Sequence, residues 1–377
     1  MIVVAGATGL VGRALVELLP AGRRPWSELS RRPRGPGIEG GPALHSLDVT
    51  RAEALLAALP EARAIVHLAG VAPGQAPAHA DAEVAAMRAL LEFGRARRVE
   101  RFVFLSACGA AADSGHPWLR AKGEAEALLR ASGLPFVILR ASVVTAADAP
   151  WLLALAQVVR VGGTLRLPLL RGGRVQPSAV GDVAIALASA LDDHRAAGRS
   201  IEIGRAPPLA LDELCDCVAA RFGREIAWSK VPFVGRALEE ALGRVRVQDD
   251  TGEERPLLGD AASFVRLFAL LEPASLADYE RLLPMRRATF EEELRGYPWG
   301  APPPRPGDPL PVLREEVDAG LPLFIPGEAL RDAGERAKLP PAWLGRVDGF
   351  GRGSEPGERS PHEERASGDE GNSAKGP

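Results

Sequence analysis

Residues 1–19 constrain the fold of this chain more than any other stretch. The run Ile2, Val3, Val4, Ala5 passes directly into Gly6-Ala7-Thr8-Gly9-Leu10-Val11-Gly12, and that turn passes into a helical pattern with Leu15, Leu18 and Leu19 on its apolar side. Glycine permits the tight turn and lets a ligand approach the backbone, while the free N–H groups and positive dipole of a helix start attract an anion. A strand, a glycine turn and a helix in this order predict a cradle for the pyrophosphate of a dinucleotide. The spacing is Gly-x-x-Gly-x-x-Gly rather than the more familiar Gly-x-Gly-x-x-Gly, so the flanking strand and helix carry the reading as much as the glycines do.

The same rhythm continues through the first 140 residues. Ile65 to Leu68, Phe102 to Leu105 and Phe136 to Leu139 read as further buried strands, and a weaker strand near Trp26 to Ser30 completes the first βαβ unit. Between them lie helical patterns over Gly12 to Leu19, Arg51 to Ala58, Ala82 to Arg97 and Lys122 to Ala131. This alternation predicts an α/β fold, a doubly wound parallel sheet with helices on both faces. Ligands of such sheets sit beyond the carboxyl ends of the strands.

After residue 140 helical patterns dominate, at Trp151 to Val159, Val180 to Leu191, Leu211 to Phe222, Val234 to Leu242, Leu257 to Leu271 and Thr289 to Gly296, with one strand at Ser200 to Ile203. The expected organisation is a dinucleotide-binding domain over residues 1–145 and a smaller, mostly helical lobe over 146–300 that adds to the sheet. An extended strap over 301–350 and a disordered tail over 351–377 follow.

Several function classes are disfavoured. The net charge is −3 and the arginines are spread along the chain, so no nucleic-acid surface is expected. No run of about 18 apolar residues is free of charge or proline, which argues against a transmembrane helix. The strand that starts at Ile2 leaves no room for a signal peptide, so a soluble cytoplasmic protein is expected. Cys108, Cys215 and Cys217 lack metal-knuckle spacing and read as core filler, and the six histidines contain no His-x-x-x-His pair.

Taken together, the motifs resemble the short-chain dehydrogenase/reductase superfamily in its atypical and extended branches, over roughly residues 1–300. The chain is most similar in feel to the NAD(P)H-binding proteins related to a subunit of respiratory complex I and to the NmrA-like proteins. The glycine turn from Gly6 to Gly12 matches their cofactor turn. Leu47-Asp48-Val49 looks like the pair that meets the adenine ring, and His67-Leu68-Ala69-Gly70 like the turn after strand 4. Arg101 to Ser106 resembles strand 5 with its active-site serine, and Trp118 to Lys122 falls on the Tyr-x-x-x-Lys helix. Val137 to Ser142 and Val175 to Ala184, with Asp182, match later family segments. The resemblance implies a Rossmann-type sheet and a bound NAD(P)(H), with Gly6, Thr8, Gly9, Leu10, Val11, Gly12, Asp48, Val49, Ala69, Gly70 and Lys122 around it.

One position departs from the pattern. In catalytic members a tyrosine donates or accepts the proton, and a lysine four residues later lowers its pKa and holds the nicotinamide ribose. Here position 118 is Trp, and the only tyrosines are Tyr279 and Tyr297. An indole N–H donates a hydrogen bond but does not ionise near neutrality, so it cannot serve as a general acid. Lys122 is retained in a chain with four lysines among its 46 basic side chains. Its ammonium donors suit ribose hydroxyls.

At the end of strand 2, where an NAD reader places a carboxylate, the sequence reads Ser30-Arg31-Arg32. An arginine pair there would meet a 2′-phosphate and argues for NADP(H) over NAD(H). Ser106 and His116, with Lys122, are the remaining candidates for catalysis, His116 as a loop imidazole two residues before Trp118. Glu124 and Glu126 are expected to face solvent. The function read from these residues is an NAD(P)(H)-binding structural, assembly or regulatory component that has lost the tyrosine step. The alternative is an NADPH-dependent reductase or isomerase of a small or lipophilic substrate. The partners implied are the dinucleotide and either a small-molecule substrate or a protein.

Overall fold

The computed structural model describes residues 1–19, 25–31, 43–70, 80–161, 165–168, 173–223, 226–229, 244, 246–248, 254–256, 267–268, 270–283, 289–297, 299 and 313–314. Its frame is a seven-stranded sheet. In chain order the strands are β1 (Ile2–Ala5), β2 (Trp26–Ser30), β3 (Ala43–Ser46), β4 (Ala64–His67), β5 (Arg101–Ala107), β6 (Phe136–Ala141) and a seventh, Ser200–Ile203. They lie in the order Ser200–Ile203, β6, β5, β4, β1, β2, β3, and every neighbouring pair is parallel. The helices are α1 (Leu10–Leu18), α2 (Ala52–Ala58), α3 (Ala80–Ala96), α4 (Pro117–Arg130), α5 (Pro150–Val161), α6 (Val180–Ala190) and α7 (Leu211–Arg221).

Both faces of the sheet are covered, which is why β1 and β4 up to Val66 are continuous apolar runs, with His67 the polar residue at the end of β4. Alternate residues feed two cores. Val4, Val66, Val103, Val137 and Leu139 share one with Leu15 of α1, Leu152 of α5 and Leu187 of α6. Val3, Ile65, Phe102, Phe104 and Ile138 share the other with Leu55 of α2, Leu90 of α3 and Leu129 of α4. From β1 the chain builds outward through β2 and β3, then crosses back to place β4 on the other side of β1. That reversal opens a crevice at the carboxyl ends of β1 and β4, the place where such sheets bind ligands.

Strands Ile2–Ala5, Trp26–Ser30 and Ser200–Ile203 fall where the sequence placed them. Helix α4 begins earlier than its expected Lys122, because Pro117 occupies the first helical position and is pre-set for it. Strand β3 was not anticipated: it is a short, partly exposed edge strand without a run of large apolar residues. Beyond residue 141 short strand pairs accompany the helices, including Val144–Thr145 with Ser178–Ala179 and Leu165–Pro168 with Ile226–Ser229. The expected helix over Val234 to Leu242 and the tail over 351–377 lie outside the described residues, as does the strap over 301–350 apart from Leu313 and Arg314, which pair with Val247 and Gln248.

Candidate functional site

The glycine turn closes over the carboxyl end of β1. Gly6 has φ +88°, a left-handed conformation that side chains resist, and a Cβ there would sit 2.5 Å from the Ala69 nitrogen. A Cβ on Gly12 would lie 2.1 Å from the Gly6 carbonyl oxygen and 2.7 Å from the backbone of Ala7. The first turn of α1, the turn before it and the β4 turn at Leu68 and Ala69 therefore touch backbone to backbone. Gly9 caps α1 without a side-chain hydrogen bond, and no acidic residue lies in the first turn. The Gly9 amide donates to the Gly6 carbonyl at 3.1 Å, and the amides of Leu10, Val11 and Gly12 are the ones a helix start of this kind offers to an outside acceptor. A pyrophosphate fits such a site in charge and in the clearance the glycines leave, with Leu10 and Val11 following Gly9 as the first two residues of α1.

Thr8 ties the turn to the end of β2 through a 2.8 Å hydrogen bond between its hydroxyl and that of Ser30. The next residue, Arg31, is exposed, and its carbonyl accepts from Ser46 at 3.2 Å. Arg32 lies outside the described residues. Asp48, also exposed, accepts from the Thr50 amide (3.0 Å) and hydroxyl (2.7 Å). Those bonds, with Arg31 and Arg51 nearby, hold its carboxyl below the usual range. Val49 packs against the core beside α2 and α3. The structure thus brings the turn, the β2 end and the β4 turn to one edge of the sheet.

A second cluster sits under α3 and α4. Lys122 is buried, and its Nζ donates to Glu83 Oε1 at 2.8 Å and to the Leu105 carbonyl at 3.3 Å, lying 5.0 Å from the centre of the Phe104 ring. Glu83 is 1% exposed. Its other oxygen, Oε2, has no hydrogen-bond partner among the described residues, and a Cβ on Gly70 would come within 2.3 Å of it. Ser106 is buried on β5, and its hydroxyl likewise lacks a partner among the described residues. His67, at the end of β4, stacks on Phe104 with ring centres 5.2 Å apart. Burial, with the like charge of Lys122, pushes its imidazole down to about 3. It is neutral at physiological pH.

Trp118 is half-buried and packs against the core that contains Leu119 and Leu139. His116 is not a loop imidazole in water: it is buried and caps the start of α4. The expectation that Glu126 faces solvent is overturned. Glu126 is 0% exposed and accepts from Arg140 through both carboxylate oxygens, at 2.9 and 2.7 Å, with Arg130 on the second at 2.8 Å. A carboxylate two helix residues from exposed Glu124 faces the sheet because a bidentate guanidinium compensates its desolvation. The thiols of Cys108 and Cys217 are pushed up to about 12, chiefly by burial. No group of three or more metal-ligating side chains occurs among the described residues.

Glu83 was missed because an acid in the first turn of a helix is ordinary, and only the fold places it opposite Lys122. A third cluster was missed for the same reason. Arg205 bridges Asp182 (2.9 Å) and Glu293 (2.6 Å), while Thr145 donates to Glu293 at 2.9 Å and the Tyr297 hydroxyl donates to it as well. Burial raises the pKa of Glu293 and carries that of Tyr297 well above the usual phenol range. This network fastens the helix Phe290–Arg295 over the end of the sheet. The Tyr297 hydroxyl is held inside this network by Glu293.

Residues 6–192 match a family model described as NAD(P)H-binding. No curated protein matches the chain by sequence. Among solved structures, a nucleoside-diphosphate-sugar epimerase from Staphylococcus aureus is similar with a TM-score of 0.60 at 17% identity, covering 78% of this chain and 99% of its own. UDP-glucose 4-epimerase from Thermotoga maritima is similar with a TM-score of 0.57 at 17% identity, over 78% and 96%. The Thermus thermophilus UDP-glucose 4-epimerase, solved with NAD, gives 0.53 at 20% identity, over 78% and 96%. At such identities the likeness is one of fold. With the family match over residues 6–192, the glycine cradle and the crevice beside it, this part of the chain is an NAD(P)H-binding domain on a Rossmann-type sheet whose fold resembles that of these epimerases.

Proposed function

We propose that the chain holds NADP(H) across the crevice between β1 and β4 as a cofactor-bound structural, assembly or regulatory component, without tyrosine-dependent proton transfer. The observation that carries this reading lies on α4: Trp118, at the position the resemblance gives to the phenol, packs against the core, and Lys122 donates to Glu83 and to the Leu105 carbonyl. In this reading the amides of Leu10, Val11 and Gly12 at the start of α1 meet the pyrophosphate. Arg31 and Arg32 meet the 2′-phosphate, Asp48 and Val49 flank the adenine, and Ala69 and Gly70 face the nicotinamide half. The exposed Arg31 at the end of β2 supports the choice of NADP(H), since a guanidinium pairs with phosphate and gains nothing comparable from a ribose hydroxyl.

Titration with NADPH and NADH tests the assignment. NADPH is expected to bind more tightly, and Arg31→Ala to weaken NADPH by about 10-fold while leaving NADH within about 2-fold. Equal affinities that Arg31→Ala does not alter would remove the basis for NADP(H).

Ser106 favours a second reading. Its buried hydroxyl, with no partner among the described residues, is suited to meet a substrate oxygen. A reductase or isomerase of a small or lipophilic substrate would take its proton from His116, Lys122 or water. Steady oxidation of NADPH in the presence of enones or quinones would decide for this reading.

A further inference from the structure

Arg13 directly follows the last glycine of the cradle. It lies in the first turn of α1, where its amide donates to the Gly9 carbonyl at 2.9 Å, so its side chain starts one residue from the amides of Leu10, Val11 and Gly12. The guanidinium pairs with Asp148, two residues before the start of α5. Strand β1 leads into α1 and β6 leads toward Asp148, so the pair joins segments that leave the sheet with β4 and β5 between them. Neither side chain is sealed. The Arg13 side chain is 30% exposed and that of Asp148 12%, which leaves the guanidinium within reach of a ligand anion.

The two partners differ in freedom. Asp148 is fixed by its loop, because Thr145 donates to Glu293 at 2.9 Å and the Trp299 indole donates to the Ala147 carbonyl at 3.0 Å. Arg13 carries its five N–H donors on a long unbranched chain that can turn from one acceptor to another. A pyrophosphate on the α1 amides brings more negative charge to that chain than the single carboxylate does, and like charge makes the two acceptors rivals for it. Once released, Asp148 still has the positive end of α5 beside it, so its carboxylate is not left uncompensated.

We propose that Asp148 is a built-in competitor of the dinucleotide: it holds Arg13 in the ligand-free protein and yields it to the pyrophosphate on binding. The inference rests on the dinucleotide reading above and adds to it two residues that set the affinity from opposite sides. Calorimetric titration of four proteins with NADPH, and with NADH in parallel, tests it. Asp148→Asn keeps the shape and removes the rival charge, and should tighten binding by about 5-fold. Arg13→Gln should weaken it by about 10-fold or more. In R13Q/D148N, where no guanidinium is left to compete for, the asparagine should change affinity by less than about 2-fold relative to R13Q. An Asp148→Asn protein that binds no more tightly than the parent would make the pair a structural brace and overturn the proposal. So would a gain from D148N of the same size with or without Arg13, which would reduce Asp148 to a general repulsion. If the parent binds a dinucleotide and either of these results is found, only the competition fails. If it binds neither dinucleotide, the dinucleotide reading fails and takes this inference with it.

Discussion

Gly12→Ala is expected to weaken dinucleotide binding by roughly 10- to 100-fold, the equivalent of the roughly 1–3 kcal/mol that overpacking costs. The new methyl would lie 2.1 Å from the Gly6 carbonyl oxygen and 2.7 Å from the Ala7 backbone. Neither is the flexible end of a side chain, so α1 must move away from the turn that aims its amides. Gly9→Ala is the control. Its nearest atom is the Gly6 oxygen at 3.3 Å, and its backbone at φ −70° is open to any residue, so the ligand-free protein should keep its melting temperature. Calorimetric titration with NADPH, beside thermal melting of both variants, reads the difference. A Gly12→Ala protein that bound NADPH as tightly as the parent would show that the turn does not hold the ligand.

His67 gives the second large effect. Its folded pKa of about 3 lies below the value of 6.5 expected for the unfolded chain. The unfolded state therefore takes up the proton first. The stability contributed by the neutral imidazole is whole above pH 6.5 and is lost as pH falls toward 3, at up to about 1.4 kcal/mol per pH unit. His67→Leu removes the titrating group together with two buried nitrogens that lack partners among the described residues. Urea unfolding at pH 8, 6, 5 and 4 should show the variant holding its stability across a range in which the parent declines. Parallel declines would place the acid sensitivity elsewhere.

The parts of the fold that could be read from sequence are those in which local pattern and tertiary role coincide. Buried parallel strands are apolar on both faces, so β1, β4 and the interior of β5 stand out as short runs of Val, Ile, Ala and Phe. The glycine turn was legible because its backbone demands are met by so few residues. Strand β3 was not, since an exposed edge needs no apolar pattern. The pairing of Glu83 with Lys122, the burial of Glu126 under Arg140 and the bridge from Arg205 to Asp182 and Glu293 were also hidden. Each joins charges far apart in sequence, and a charged residue on a helix carries no local sign of the face it will take. Trp118 was visible in the sequence, whereas the direction of Lys122 is decided only by the packing of α3 against α4.

The turn from Gly6 to Gly12 is expected to hold a dinucleotide. Titrating the unmodified protein with NADPH and, separately, NADH, while following tryptophan fluorescence and thermal melting, tests it most directly. NADPH should give a saturable fluorescence change and a rise in stability of about 2.7 kcal/mol at a hundredfold excess over Kd. Neither a fluorescence change nor a melting shift with either dinucleotide at millimolar concentration would contradict it.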